Sequence, residues 1–243
     1  MPGQFTAPTT YFLQEGKENL PECLKIAFHA AKQQNITKIV IFTARGEGVR
    51  MAIDGFCSQP GFEHIKLVAV TFPEGKAFTD ADKPIIVEIP ADQKAFFESK
   101  GVPIVRAHSP FDPITSPGRQ RGVLGQDLSL VGDALDVLCG SMSLCVQAIL
   151  LACDAGAVSL REHVIALTSD TAVLAQAANT AQMLSDLIIR EILCKPAVLT
   201  VTRKEMADKL PVQLELGTGE QKKIETAAGS TPQLESGTEP EAR

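Results

Sequence analysis

Residues 43–48 read Thr-Ala-Arg-Gly-Glu-Gly and follow the apolar run Lys38–Phe42. These residue types suit an anion. Thr43 offers a hydroxyl, and Arg45 presents a planar fork of donors that matches a phosphate group. Gly46 and Gly48 let backbone approach a ligand closely. A helix beginning at this point would add free N–H groups and a partial positive charge. The same residues also suit a plain solvated turn in which Arg45 pairs with Glu47. A second polar group, Thr168-Ser169-Asp170-Thr171, follows the apolar run His163–Leu167. It suits a phosphate or a ribose, or the capping of a following helix. His108 closes a third apolar run, a position fit for an acid or base and also for a structural histidine. Asp112, between Phe111 and Pro113, reads as a turn residue. A nucleophile elbow, a Walker lysine, a GxGxxG stretch and metal-ligand spacing are all missing from the chain.

The elements that must position these residues show in the hydrophobic periodicity. Asn19, Pro21 and Glu22 open a first helix with a capping box, and Leu24, Ala27, Phe28 and Ala31 recur at helical spacing. Strand Lys38–Phe42, a helix over Val49–Cys57 and strand Ile65–Thr71 follow. Residues 72–89 mix turn signals with one short apolar run. Pro90 then opens a short helix that Gly101 closes, and Val102–Ala107 reads as a strand. Strands that are apolar throughout, alternating with helices, predict a mainly parallel sheet covered on both faces. Residues 108–126, rich in Pro and Gly, predict a long loop of the kind that carries function. Beyond it the pattern predicts one long buried helix over 127–154, a strand His163–Leu167, a helix over Thr171–Thr180, and late strands Leu187–Leu193 and Ala197–Thr202.

Of the 243 residues 44% are hydrophobic, enough for a sizeable core. The net charge of −6 argues against nucleic acid as a partner. The most apolar stretch, 128–152, carries Asp133 and Asp136, which argues against a membrane span. The six cysteines include no CxxC pair and read as small buried thiols of a reducing compartment. With a polar start that lacks a secretory signal, the expected location is cytoplasmic. The expected organisation is one α/β domain over 1–215 and a disordered polar tail over 216–243, which is almost free of apolar residues.

Three blocks carry a resemblance. "YFLQEGKENLPECLKIAFHAAKQQNITKIVIFTARGEGVRMA", "LSLVGDALDVLCGSMSLCVQAILLACDAGAVSLREHVIALT" and "DLIIREILCKP" fall in the order and spacing of stand-alone proteins built on the C-terminal domain of pyruvate kinase. The chain resembles that family over roughly residues 9 to 197. The resemblance implies a three-layer α/β sandwich with a mainly parallel sheet. In full-length pyruvate kinases this domain is regulatory, holds no catalytic residues, and seats an effector phosphate on the loop after its first strand. It also implies that Lys17, Glu18 and Asn19 stand at the mouth of the same cleft as Thr43, Arg45, Gly46 and Gly48, with Thr168 and Ser169 opposite. Leu20 departs from the family pattern, where Thr is usual. The expected function is binding of a phosphorylated small molecule or nucleotide, flavin mononucleotide among them, in a regulatory role, with self-association left open. The alternative is an enzyme acting on a phosphorylated metabolite with His108, Glu18 or Asp170 as acid or base. Pyruvate kinase activity is not expected, because the catalytic barrel is missing.

Removing the tail from Gly217 onward is expected to shift the melting temperature little, because its composition supplies no core. Calorimetry of the full and trimmed chains checks this. A drop of more than a few degrees would place the tail against the domain.

Overall fold

Two-sided burial organises the chain. The computed structural model describes residues 6–80, 83–112 and 129–197. Its main sheet has seven strands in the order β1-β9-β8-β7-β2-β3-β6. These are β1 (Thr10–Phe12), β2 (Lys38–Phe42), β3 (Lys66–Thr71), β6 (Ile104–Arg106), β7 (His163–Leu167), β8 (Ala172–Gln176) and β9 (Ile188–Pro196). Only β8 runs against its neighbours, β7 and β9; the other pairings are parallel. A separate hairpin joins β4 (Ala77–Asp80) and β5 (Lys83–Ile86).

Successive strand residues point to opposite faces. Ile39, Ile41, Leu67, Ala69, Ile165 and Leu167 meet α1 (Leu20–Gln33), α2 (Glu47–Ala52) and α3 (Ala91–Ser99) on one face. Val40, Val68, Val70, Val164 and Ala166 meet α5 (Met142–Asp154) on the other. The result is a helix–sheet–helix sandwich. Each fully buried Leu, Ile, Val or Phe contributes about 1.5–3 kcal/mol relative to exposure. Phe28 anchors the first face, stacked on Phe56 at 4.7 Å and edge-on to Phe62 at 5.5 Å.

Several expectations are corrected. Asn19 makes no capping box, because a 3₁₀ turn over Lys17–Asn19 runs straight into α1 and leaves Asn19 with helical backbone angles. Its amide reaches back to the Gln14 carbonyl at 2.7 Å, and Glu22 pairs with Lys25 instead. The single helix expected over 127–154 is two among the described residues, α4 (Ser129–Asp136) and α5. The break holds because the Asp136 carboxylate accepts from the Ser143 N–H at 3.0 Å and so satisfies a donor in the first turn of α5. Thr171–Thr180 is no helix. The Thr168 N–H donates to the Thr171 carbonyl at 2.9 Å, which turns the chain back so that Ala172–Gln176 pairs with β7 as β8. A short apolar run of this kind reads as helix or strand by composition alone. β1 had no signal in the sequence; its register is set by pairing with β9, Thr10 opposite Cys194. The helix expected to Cys57 is α2 followed by a π-helical turn over Ile53–Cys57. The short α6 (Met183–Asp186) precedes β9. The expected strand Ala197–Thr202, from 198 onward, the tail over 216–243 and most of the loop 108–126 lie outside the described residues.

One glycine fixes the approach of the start of α2 to α3. Gly46 has φ of 94°, and a Cβ there would stand 2.9 Å from the Phe97 ring. Gly55 has open space around it. Gly46→Ala is therefore expected to lower stability by about 1–3 kcal/mol, while Gly55→Ala is expected to raise it by about 0.5–1 kcal/mol. Urea unfolding of both variants measures the contrast; equal effects would refute the packing role of Gly46.

Candidate functional site

The strand order reverses at the middle of the sheet. From β2 the chain winds outward through β3 to β6, and then returns to β7 on the other side of β2. In open α/β sheets such a switch point opens a crevice beyond the carboxyl ends of the two strands. The register Ile41 opposite Leu167 puts the Thr43 loop and the Thr168 turn side by side at that end.

The first loop is built mostly for its own closure. Thr43 is buried; its N–H donates to the Val70 carbonyl at 2.9 Å and its hydroxyl accepts from the Gly46 N–H at 2.9 Å. Gly48 is buried too, and a Cβ there would stand 3.2 Å from Ile41 and 3.5 Å from Leu20. Gly48 thus lies against β2 and α1, and Gly46 against α3. Of Thr43, Arg45, Gly46 and Gly48, only Arg45 projects outward. It is exposed and makes no ion pair with Glu47 or any other described residue.

The second group is tied inward. Asp170 is only 3% exposed; one of its carboxylate oxygens accepts from the Gly16 N–H at 2.9 Å and the other from the Thr171 hydroxyl at 3.1 Å. It therefore holds the lead into α1 against the β7–β8 turn. Thr168 is buried, and its carbonyl accepts from the Cys23 thiol at 3.7 Å. Ser169 is half-buried in the turn. Lys17 and Glu18 are exposed on the 3₁₀ turn, with the Glu18 carboxylate folded over Gly16. His108 stands beyond β6, at the sheet edge two strands from β2, where its Nε2 meets the Asp112 carbonyl at 3.1 Å. Asp112 is a turn residue as expected, and it pairs with Lys76 at 2.9 Å.

Arg45 opens onto a cleft of about 720 Å³ between α2, its π-helical extension and the start of α3. Arg45, Glu47, Arg50, Asp54 and Gln93 bring polar groups to it, and Met51 and Pro90 give it apolar wall. Arg50 is held in place: its Nε contacts Asp54 at 2.6 Å, and its guanidinium lies 4.1 Å from the centre of the Phe96 ring. At this exposure the ion pair adds little stability, so its consequence is orientation. The Gln93 Oε1 atom is buried with no hydrogen-bond partner. Sequence reasoning missed Arg50, Asp54, Gln93 and Phe96. The i,i+4 spacing of Arg50 and Asp54 was a visible signal; nothing local connects them to α3. Lys17, Glu18, Asn19, His108, Thr168, Ser169 and Asp170 do not line this cleft. Among the described residues no group of three or more His, Cys, Asp or Glu is placed to hold a metal ion, and no helix is long and apolar enough to cross a membrane.

No family model matches the chain. Among solved structures it is similar to the pyruvate kinase of Cryptosporidium parvum, with 11% identity and a TM-score of 0.30 over 65% of this chain. The chain spans 22% of the length of that protein. The α/β architecture described above rests on the chain's own geometry.

Buried thiols lie beneath the second group. The Cys23 thiol is pushed well above the ordinary value of 9.0, first by its hydrogen bond with Cys194 and then by burial. Burial pushes Cys145 up as well. Below the ordinary value both folded and unfolded chains keep these protons, and the thiols exert no pH effect. Above it the unfolded chain loses protons that the folded chain retains, so stability falls as pH rises. Denaturant unfolding from neutral pH to beyond 9.0 is expected to show this alkaline loss, and Cys145→Ala is expected to flatten it. An unchanged slope in the variant would remove the thiol as the cause.

Proposed function

We propose that the chain binds a phosphorylated small molecule, a nucleotide among the candidates, in the cleft between α2 and α3. The observation that carries this reading is Arg45, exposed and without an ion-pair partner among the described residues, at the mouth of a cleft of about 720 Å³. That volume lies in the range of small-molecule sites. Asp54 offsets the charge of Arg50, which leaves Arg45 as the cation for a phosphate and Glu47 as an acceptor for hydroxyl or N–H groups of the same ligand. Met51 and Pro90 offer apolar surface to a ring. A regulatory role on a fold like the pyruvate kinase C-terminal domain, in the cytoplasm, is part of this proposal; the blocks of residues 9 to 197 and the free state of all described thiols support it. Binding is favoured over catalysis because His108, Glu18 and Asp170 stand outside the cleft, and an acid or base must be within hydrogen-bond reach of the reacting group.

Arg45→Ala is expected to weaken binding of a phosphorylated ligand by about 1.5–3 kcal/mol, the loss of a charge-assisted hydrogen bond, with folding nearly unchanged. Calorimetric titration with flavin mononucleotide and adenosine monophosphate, each beside its dephosphorylated form, tests this. Equal affinity for wild type and variant, or for both forms of a ligand, would overturn the reading. Turnover of a phosphorylated metabolite that disappears in His108→Gln would favour the enzyme instead.

A further inference from the structure

Six cysteines are spread along the sequence, and four of them, Cys23, Cys139, Cys145 and Cys194, are fully buried. They reach the β7–β8 turn from separate places: Cys23 from the first turn of α1, Cys139 from the α4–α5 break, Cys145 from α5 and Cys194 from β9. Three of them hold to that turn. The Cys23 thiol faces the Thr168 carbonyl at 3.7 Å, the Cys145 thiol faces the Thr171 carbonyl at 3.6 Å, and Cys139 meets the Thr171 hydroxyl at 3.4 Å. Cys194 meets another thiol: its Sγ stands 3.5 Å from Cys23 Sγ, across 171 residues of chain.

We propose that Cys23 and Cys194 form an oxidisable dithiol site, where a peroxide produces a reversible disulfide that joins α1 to β9. The placement favours this pair over other pairs of the cluster, because only these two sulfurs are in mutual contact. Disulfide formation closes the 3.5 Å Sγ–Sγ separation to a bond of about 2.05 Å. The chemistry balances. One thiol gives up its proton and, as thiolate, attacks a peroxide oxygen; the O–O bond breaks, a sulfenic acid forms, and the departing hydroxide takes up that proton and leaves as the first water. The second thiol attacks the sulfenic sulfur, the S–O bond breaks, and a second water leaves as the S–S bond forms. Two thiols are oxidised by two electrons and one peroxide is reduced.

The site is guarded by its burial. Neither sulfur is exposed, and the Cys23 thiol is held protonated by its hydrogen bond with Cys194 and by burial. Cys23 lies in the first turn of α1, which continues from the 3₁₀ turn Lys17–Asn19, whose lead is fastened by the Gly16–Asp170 hydrogen bond. Release of that fastening uncovers Cys23 first, so reaction is expected to be slow and to speed up with local opening of the α1 start. The part-exposed thiols Cys57 and Cys153 lie outside the cluster and provide an internal comparison.

The test treats the folded full-length protein with hydrogen peroxide, blocks free thiols, digests without reduction and maps the peptides by mass spectrometry. The expected product is the Cys23 peptide joined to the Cys194 peptide, restored to free thiols by dithiothreitol. The disulfide would close a long loop, so the melting temperature is expected to rise by several degrees in the oxidised protein and to return on reduction. Cys194→Ala is expected to abolish the cross-link and the rise. Recovery of Cys23 and Cys194 as free thiols while Cys57 and Cys153 are oxidised would overturn the proposal. So would a different pairing, or a cross-link that forms only in urea. The peptide map of the wild-type protein decides the matter even if the variant fails to fold.

Discussion

Strand β2 has no side open to solvent. Ile39 and Ile41 are covered by the helices of one face and Val40 by α5 on the other, and β3 and β7 occupy both of its hydrogen-bonding edges. A strand enclosed in this way cannot slip by one residue without sending every side chain to the wrong face. The direction and height of β2 therefore set where its carboxyl end emerges. That end is also where the winding of the sheet reverses, so the loops after β2 and β7 are neighbours although 124 residues separate Lys38 from Glu162, which pair at 2.9 Å near the opposite end.

The enclosure of β2 also explains why so little of its loop is free for a ligand. Helix α2 must return over the sheet at once; contact with Phe97 leaves no room for a side chain at Gly46, and Ile41 and Leu20 leave little at Gly48. The turn then closes on itself through the Thr43 hydroxyl, which satisfies a buried backbone donor. What remains is Arg45, pushed outward by the same geometry. The cleft it faces is made by the next crossover, where α3 brings Gln93 and Phe96 beside Arg50.

Polar groups turned inward do comparable work on the other loop. The Asp170 carboxylate, removed from water, is held by a backbone donor and a hydroxyl, a pairing that a buried charge requires. It ties the lead of α1 to the β7–β8 turn, and the same turn supplies the carbonyls that the buried thiols face. The start of α1, the turn and strand β9 thus form one connected polar and thiol network, with Cys23 and Cys194 on one face of the sheet and Cys139 and Cys145 on the other.

The sequence by itself determined the elements whose burial is a local property. Lys38–Phe42 and His163–Leu167 are continuous apolar runs, and they are strands with those bounds because burial on both faces demands such runs. The amphipathic face of α1 and the Pro90–Gly101 limits of α3 were legible for the same kind of reason, as was the parallel character of most of the sheet. Only the tertiary structure decided the rest. Ala172–Gln176 became a strand because the Thr168–Thr171 turn returned it to the open edge of β7, which its own composition does not encode. Asn19 lost its cap because the chain before it was already helical. Arg45 was legible as a cation, but one wall of its cleft, Pro90 and Gln93, comes from the start of α3, and the inward aim of Asp170 comes from Gly16, 154 residues away. Contacts of that kind follow from the order in which strands assemble, and a pattern read along the chain carries propensity and periodicity but not that order.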